Sequence, residues 1–240
     1  FARQLRISDR VRLEAEGGED VVQCDLSDKA AVHELVRGVD AVAHFGGISV
    51  EGPFEAILQS NIVGVFNLYE AARKHGVKRV VFASSNHVIG FYKQSERIGP
   101  EAPMRPDGHY GISKCFGENL SRFYFDRYGV ETVCLRIGSS FPEVKDRRML
   151  STFLSYDDLV ELVRCALFAP DVGHTVVFGV SNNSSSWWDN GNAARLGFRP
   201  RDNSEAQRDR VEAANPLLDP KDPRRVYQGG AFTSQGPFDD

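Results

Sequence analysis

Short apolar runs alternate with stretches of helical length along this chain, and that alternation allows few architectures. Ala41-Val-Ala-His44, Val80-Val81-Phe82 and Thr132-Val-Cys-Leu-Arg-Ile137 read as buried strands, short and rich in β-branched residues. Further strands are expected at 4–9, 20–25 and 175–178, and helices at 31–37, 53–74, 110–128 and 156–168. Ser27 is suited to cap the first helix; Pro53 suits the first turn of the second, which ends at Gly76. Consecutive strands joined through helices return in parallel. The expected fold is therefore α/β: a doubly wound parallel sheet with helices on both faces and a looser, Trp-bearing C-terminal portion.

With 240 residues, 41% of them hydrophobic, the chain can bury one good core but hardly two. Its net charge is -4, and the longest basic cluster is Asp146-Arg-Arg148, so no nucleic-acid partner is expected. No apolar run reaches the length of a membrane span and no signal-peptide pattern is visible, so a cytoplasmic location is expected. Cys24, Cys115, Cys134 and Cys165 are widely separated and read as small buried apolar residues. The histidines show no ligand spacing, and no metal is expected.

The chemistry gathers in two stretches. Arg79-Val-Val-Phe-Ala-Ser-Ser-Asn-His-Val-Ile-Gly90 begins as a strand and turns polar at its end. Tyr110-Gly-Ile-Ser-Lys114 opens a helix after the breakers Pro106 and Gly108. One helical turn separates Tyr110 from Lys114, so both lie on one face. Ser85, a phenol and an ammonium can then converge on one substrate atom. A free phenol has a pKa of about 10; a neighbouring Lys114 cation is expected to lower it and make Tyr110 a general base.

Ser85, Tyr110 and Lys114 resemble the Ser–Tyr–Lys set of the extended short-chain dehydrogenase/reductase (NAD-dependent epimerase/dehydratase) family. Further blocks narrow the likeness: His44-Phe-Gly-Gly-Ile-Ser-Val-Glu51, Phe82-Ala-Ser-Ser-Asn-His87, Arg136-Ile-Gly-Ser139, Trp187-Trp-Asp-Asn190 and Tyr227-Gln-Gly-Gly230 are similar to those of uronate dehydrogenases. The resemblance runs over residues 5–232 and implies a Rossmann-type fold. It also implies NAD-dependent oxidation of galacturonate or glucuronate at the anomeric carbon, giving an aldaric acid lactone. Residues 1–137 and 156–180 would form mainly the cofactor lobe of a single domain, and 138–155 with 181–240 the substrate portion.

By the same resemblance, Asp9 would accept bonds from the adenosine ribose and repel a 2′-phosphate, favouring NAD over NADP. Asp25 and Leu26 would flank adenine, although Asp25 also reads as a cap for the next helix. Phe45, Gly46 and Gly47 would let the backbone approach the cofactor, or simply make a tight turn. Asn61, Lys114 and Ile137 complete the cofactor set. Arg148 would grip the uronate carboxylate bidentately, with Arg147 its possible confusion. Ser49, Ser85, Asn86, His87 and Ser139 would bind the remaining substrate oxygens. The Trp187–Trp188 pair reads as packing, and Tyr227–Gly230 would seat the tail against its own subunit or against a second one in a homo-oligomer.

No counterpart of the family's first strand and GxxGxxG turn occurs in the sequence. The chain is therefore expected to be a truncated form that binds NAD weakly or not at all, with its first two strands lacking their bridge to the rest of the sheet. Two other functions share parts of the pattern: a nucleotide-sugar epimerase or dehydratase, and a non-catalytic NAD-binding regulatory protein.

Overall fold

A computed structural model describes residues 4–238. The strands are β1 (Arg6–Asp9), β2 (Asp20–Gln23), β3 (Ala41–His44), β4 (Arg79–Ser85), β5 (Glu131–Ile137) and β6 (His174–Gly179). Between and after them come α1 (Lys29–Val36), α2 (Phe54–Ile57), α3 (Gly64–His75), α4 (His109–Tyr128), α5 (Met149–Thr152), α6 (Tyr156–Phe168), α7 (Arg208–Ala214) and α8 (Pro223–Val226). Every strand pair is parallel, as the alternation requires. The strands fall into two sheets, β1-β2 and β3-β4-β5-β6, with no ladder between them among the described residues.

Helices hold the two sheets together. Val32 and Val36 of α1 bury against Val65, Leu68 and Ala72 of α3, while Arg6 on β1 reaches the carbonyls of Leu35 and Arg37 and pairs with Asp20. Within the larger sheet, β4 and β5 are buried on both faces. Val80, Phe82 and Cys134 pack under α3 and α4, and Val81, Val133 and Leu135 pack under α6. This two-residue alternation explains why these strands read as unbroken apolar runs. Truncating the fully buried Phe82 to alanine should cost about 3–5 kcal/mol. A Cβ at Gly117 would overlap the Phe82 ring, so glycine there lets α4 lie directly on β4.

Several boundaries differ from expectation. Asp28, not Ser27, caps α1 and accepts from the N–H groups of Ala30 and Ala31 at 2.9 and 3.0 Å. Ser27 is instead engaged by Asp25, which accepts its N–H and hydroxyl in a turn, so Asp25 does not cap the helix either. The helix expected over 53–74 is interrupted by a π-helical stretch, Leu58–Val63, between α2 and α3. Pro53 is the residue before its first turn, and it ends at Gly76, where φ is 72°. Cys115 is only half-buried, unlike the other three cysteines.

The C-terminal portion packs onto the larger sheet, as the Trp187–Trp188 pair suggests. Trp188 stacks on Phe178 at 4.8 Å and donates its indole N–H to Gln228 Oε1 at 2.9 Å. Gln228 is fully buried and donates to the carbonyls of Lys93 and Glu96, so the 227–230 stretch seats against its own chain.

Candidate active site

The polar residues gather where the parallel strands of the larger sheet end, the usual place for a ligand in an open α/β sheet. Ser85 closes β4 in register with Ile137 of β5. Its hydroxyl accepts the His87 N–H at 3.2 Å and lies close enough to the Tyr110 phenol to favour its ionised form. Tyr110 and Lys114 sit on the buried face of α4, each with 6% of its surface exposed. Lys114 Nζ donates to the Ala83 carbonyl at 2.8 Å and lies 5.5 Å from the Tyr110 ring centroid.

Burial sets the electrostatics. It pushes the Tyr110 phenol above its ordinary pKa; the Ser85 hydroxyl pulls down, and the Asp107 charge pushes further up. The expectation that Lys114 lowers it is corrected: the ammonium is engaged by Ala83, and burial brings its own pKa down to about 8.

Glu51 holds the start of the Tyr110 helix. Gly108, its N-cap, has no side chain to offer, and Glu51 instead accepts the N–H groups of His109 and Tyr110 at 2.8 and 3.0 Å. A carboxylate suits the positive end of a helix. The π-helical stretch presents Asn61, which accepts from Ile48 N–H and donates to Ile48 O and Ser113 Oγ. Asn61 thus ties the loop after β3 to α4, and a π-bulge at such a place is common. Further along α4, Glu118 pairs with Arg136 of β5 at 2.8 Å and accepts the Ser84 hydroxyl, both side chains almost wholly buried.

Arg148 stands beside this polar cluster. Its Nε donates to Gln228 O at 2.6 Å and its Nη1 to Ser139 Oγ at 3.2 Å. With the Asn86 amide oriented to satisfy its neighbours, Asn86 accepts from Arg148 Nη2 at 2.6 Å and donates to Ile137 O. Among the described residues no carboxylate is in salt-bridge contact with Arg148. Arg147 points elsewhere, to the carbonyls of Asn215 and Glu212 and the Glu212 carboxylate. His87 bonds Asp107 through Nδ1 at 2.7 Å and lies under Phe232, ring centroids 3.7 Å apart.

Of the residues expected to hold a cofactor, Asp9, Asp25, Phe45, Gly46 and Gly47 are exposed, whereas Asn61 and Lys114 are buried. Asp9 ends β1, exposed, its carboxylate accepting the Val11 N–H at 3.0 Å. A Cβ at Gly46 would come within 2.8 Å of Leu26, and one at Gly47, where φ is 115°, within 2.6 Å of the Asn61 oxygen, so this turn needs glycine. Exposed carboxylates at strand ends beside a close-fitting glycine turn fit an adenine dinucleotide. Phe45 and Ser49 are exposed on that loop and are not drawn into the buried cluster. Glu51, Asp107, Glu118 and Phe232 were not singled out from the sequence; each acts through a partner distant in the chain. Among the described residues there is no grouping that could hold a metal ion, and no helix is long and apolar enough to cross a membrane.

Known proteins resemble this chain over nearly its whole length. The NAD dependent epimerase/dehydratase family matches residues 3–156. A uronate dehydrogenase of Pseudomonas syringae pv. tomato is 60% identical over 242 residues, covering 100% of this chain and 88% of that protein. Uronate dehydrogenase from Agrobacterium tumefaciens, solved as a tyrosine-to-alanine mutant complexed with NAD, superposes with a TM-score of 0.96 at 52% identity, covering 100% of this chain and 91% of the other. Glucuronic acid dehydrogenase from Chromohalobacter salexigens gives 0.95 at 51% identity, over 98% and 89%. Fold and relatives together define a Rossmann-type, NAD-dependent dehydrogenase acting on a CH–OH group. The chain belongs to the NAD dependent epimerase/dehydratase family.

Proposed function

We propose that this protein is a cytoplasmic enzyme that oxidises a hexuronic acid, galacturonate or glucuronate, at its anomeric carbon and releases an aldaric acid lactone. The observation that carries this is Arg148: a guanidinium bonded only to neutral groups, Gln228 O, Ser139 Oγ and Asn86, beside the Ser85–Tyr110 pair. Such a group suits a substrate carboxylate, since the Asp146 and Asp107 charges act on it only without direct contact.

Ser85 donates to or accepts from the anomeric hydroxyl and holds it against Tyr110. Tyr110 takes the hydroxyl proton while the C1 hydrogen leaves with its electron pair, and the ring oxygen stays bonded, so the carbon becomes a lactone carbonyl. NAD, when bound, supplies the hydride acceptor and a positive ring that offsets the phenol's raised pKa. Asp9, Asp25, Leu26, Phe45, Gly46, Gly47, Asn61, Lys114 and Ile137 would hold it; Ser49, Asn86, His87, Ser139 and Arg148 would hold the sugar acid. Residues 1–137 and 156–180 serve mainly the cofactor and 138–155 with 181–240 mainly the substrate.

Turnover is best read in a joined enzyme, in which the strand and glycine-rich turn of a uronate dehydrogenase relative precede Phe1 and the turn offers backbone donors to a pyrophosphate. With glucuronate labelled with carbon-13 at C1, this joined enzyme should yield a lactone carbonyl resonance in step with NADH. An epimerised sugar without net NADH would overturn the proposal.

A further inference from the structure

His87 is fixed on several sides. Phe232 covers one face of its ring, at an interplanar angle of 22°, and Tyr110 meets it edge-on at 5.7 Å. Its Nδ1 is 2.7 Å from Asp107 Oδ2, and its Nε2 makes no hydrogen bond among the described residues. The His87 side chain keeps 10% of its surface exposed, whereas the Asp107 side chain has none.

Asp107 is held as tightly. A Cβ at Gly90 or Gly229 would overlap its Oδ2, and one at Gly111 would come within 3.2 Å of Oδ1. Three glycine backbones therefore close around this carboxylate, and Oδ1 is left buried without a partner. That arrangement leaves Asp107 one strong interaction, the imidazole. The other charges acting on His87 are Arg148 and Glu51, and burial pulls the ring's pKa below its ordinary value, towards the neutral form.

A neutral imidazole carries one proton, and the bond made by one nitrogen decides the role of the other. A carboxylate only accepts. We propose that Asp107 is a positioning residue that keeps the His87 proton on Nδ1, so that Nε2 meets the substrate as a hydrogen-bond acceptor for a sugar hydroxyl. The inference rests on the uronate reading for its ligand, but the tautomer is a property of this chain alone. A hydroxyl in the configuration that reaches Nε2 is favoured; a substrate group that could only accept there would leave two lone pairs opposed.

Nitrogen-15 NMR of the chain, with His87 assigned by comparison with His87→Phe, tests this near neutral pH. Nε2 should be pyridine-like in the wild type. In Asp107→Asn, whose amide can donate to Nδ1, the Nε2 signal should become pyrrole-like, the tautomer error an Asp→Asn change causes in a serine-protease triad. A pyrrole-like Nε2 in the wild type overturns the inference, and that spectrum decides even if the variant does not fold. Glucuronate added with NAD to the joined enzyme should shift both His87 Nε2 and Arg148 Nε. A shift at Arg148 alone refutes the His87 contact and spares the uronate reading; no shift at either counts against the uronate reading.

Discussion

Glu51 and Tyr110, 59 residues apart, are joined by a 3.0 Å hydrogen bond from the tyrosine N–H to Glu51 Oε2. The loop that follows β3 therefore caps the helix that carries the proposed base. Removing the carboxylate with Glu51→Ala leaves two helix N–H groups, His109 and Tyr110, without their acceptor. The expected loss is about 1–2 kcal/mol in urea unfolding. Because the frayed turn includes Tyr110 itself, kcat of the joined enzyme should fall about tenfold or more while the Kd for NAD changes little. Unchanged kcat in a destabilised variant would show that the cap serves the fold alone.

Arg136→Met should be far more damaging than its distance from the substrate implies. It strands Glu118, whose carboxylate is 2% exposed and also takes the Ser84 hydroxyl. A lone buried charge costs about 3–5 kcal/mol. Removing both partners, in Arg136→Met with Glu118→Leu, should recover most of that in a double-mutant cycle. A double variant no better than Arg136→Met would refute the claim that the stranded charge is the cause.

His44 makes the fold sensitive to acid. Burial brings its pKa down from 6.5 to about 3. Between those values the unfolded chain takes up a proton that the folded chain refuses, so stability is full above the upper value and falls as pH drops towards the lower. The slope from this one group is roughly 1.4 kcal/mol per pH unit at most. His87 and His174, also lowered by burial, act in the same direction. His44→Phe should flatten the acid limb of a plot of urea midpoint against pH. An identical limb in the variant would assign the acid sensitivity elsewhere.

Neighbouring arginines should separate cleanly. Arg148→Ala is expected to raise KM for glucuronate by about a hundredfold, the scale of a lost charge-assisted pair, with the Kd for NAD little changed. Arg147→Ala removes contacts to Asn215 and Glu212 and should instead lower stability, with KM close to the parent value. Matching KM values in the two variants would contradict the carboxylate role.

Much of this molecule was legible in its residues because the signals were local. Val80-Val81-Phe82 and Val133-Cys134-Leu135 are apolar on both sides, as central parallel strands usually are. Tyr110 and Lys114 share a helix face by spacing alone. Capping was harder: Ser27 and Asp28 are both good caps, and Asp25 decides between them by engaging Ser27. The π-helical turn was not legible, since 58–63 holds mostly ordinary helix residues and the partners Asn61 meets, Ile48 and Ser113, are distant in the chain. Glu51 over Tyr110, Asp107 under His87 and Phe232 above it join distant parts of the chain, and no local period encodes such meetings. The phenol's pKa was misjudged for a similar reason: spacing puts a lysine near, but only the fold shows that the ammonium faces Ala83.

The most direct measurement is absorbance of NADH after NAD is mixed with galacturonate, glucuronate or glucose, in the joined enzyme and in its Tyr110→Phe variant. The account predicts NADH from the joined enzyme with a uronate but little with glucose, and none from Tyr110→Phe. No NADH from the joined enzyme with either uronate, or a Tyr110→Phe variant keeping more than about a tenth of the rate, would contradict it.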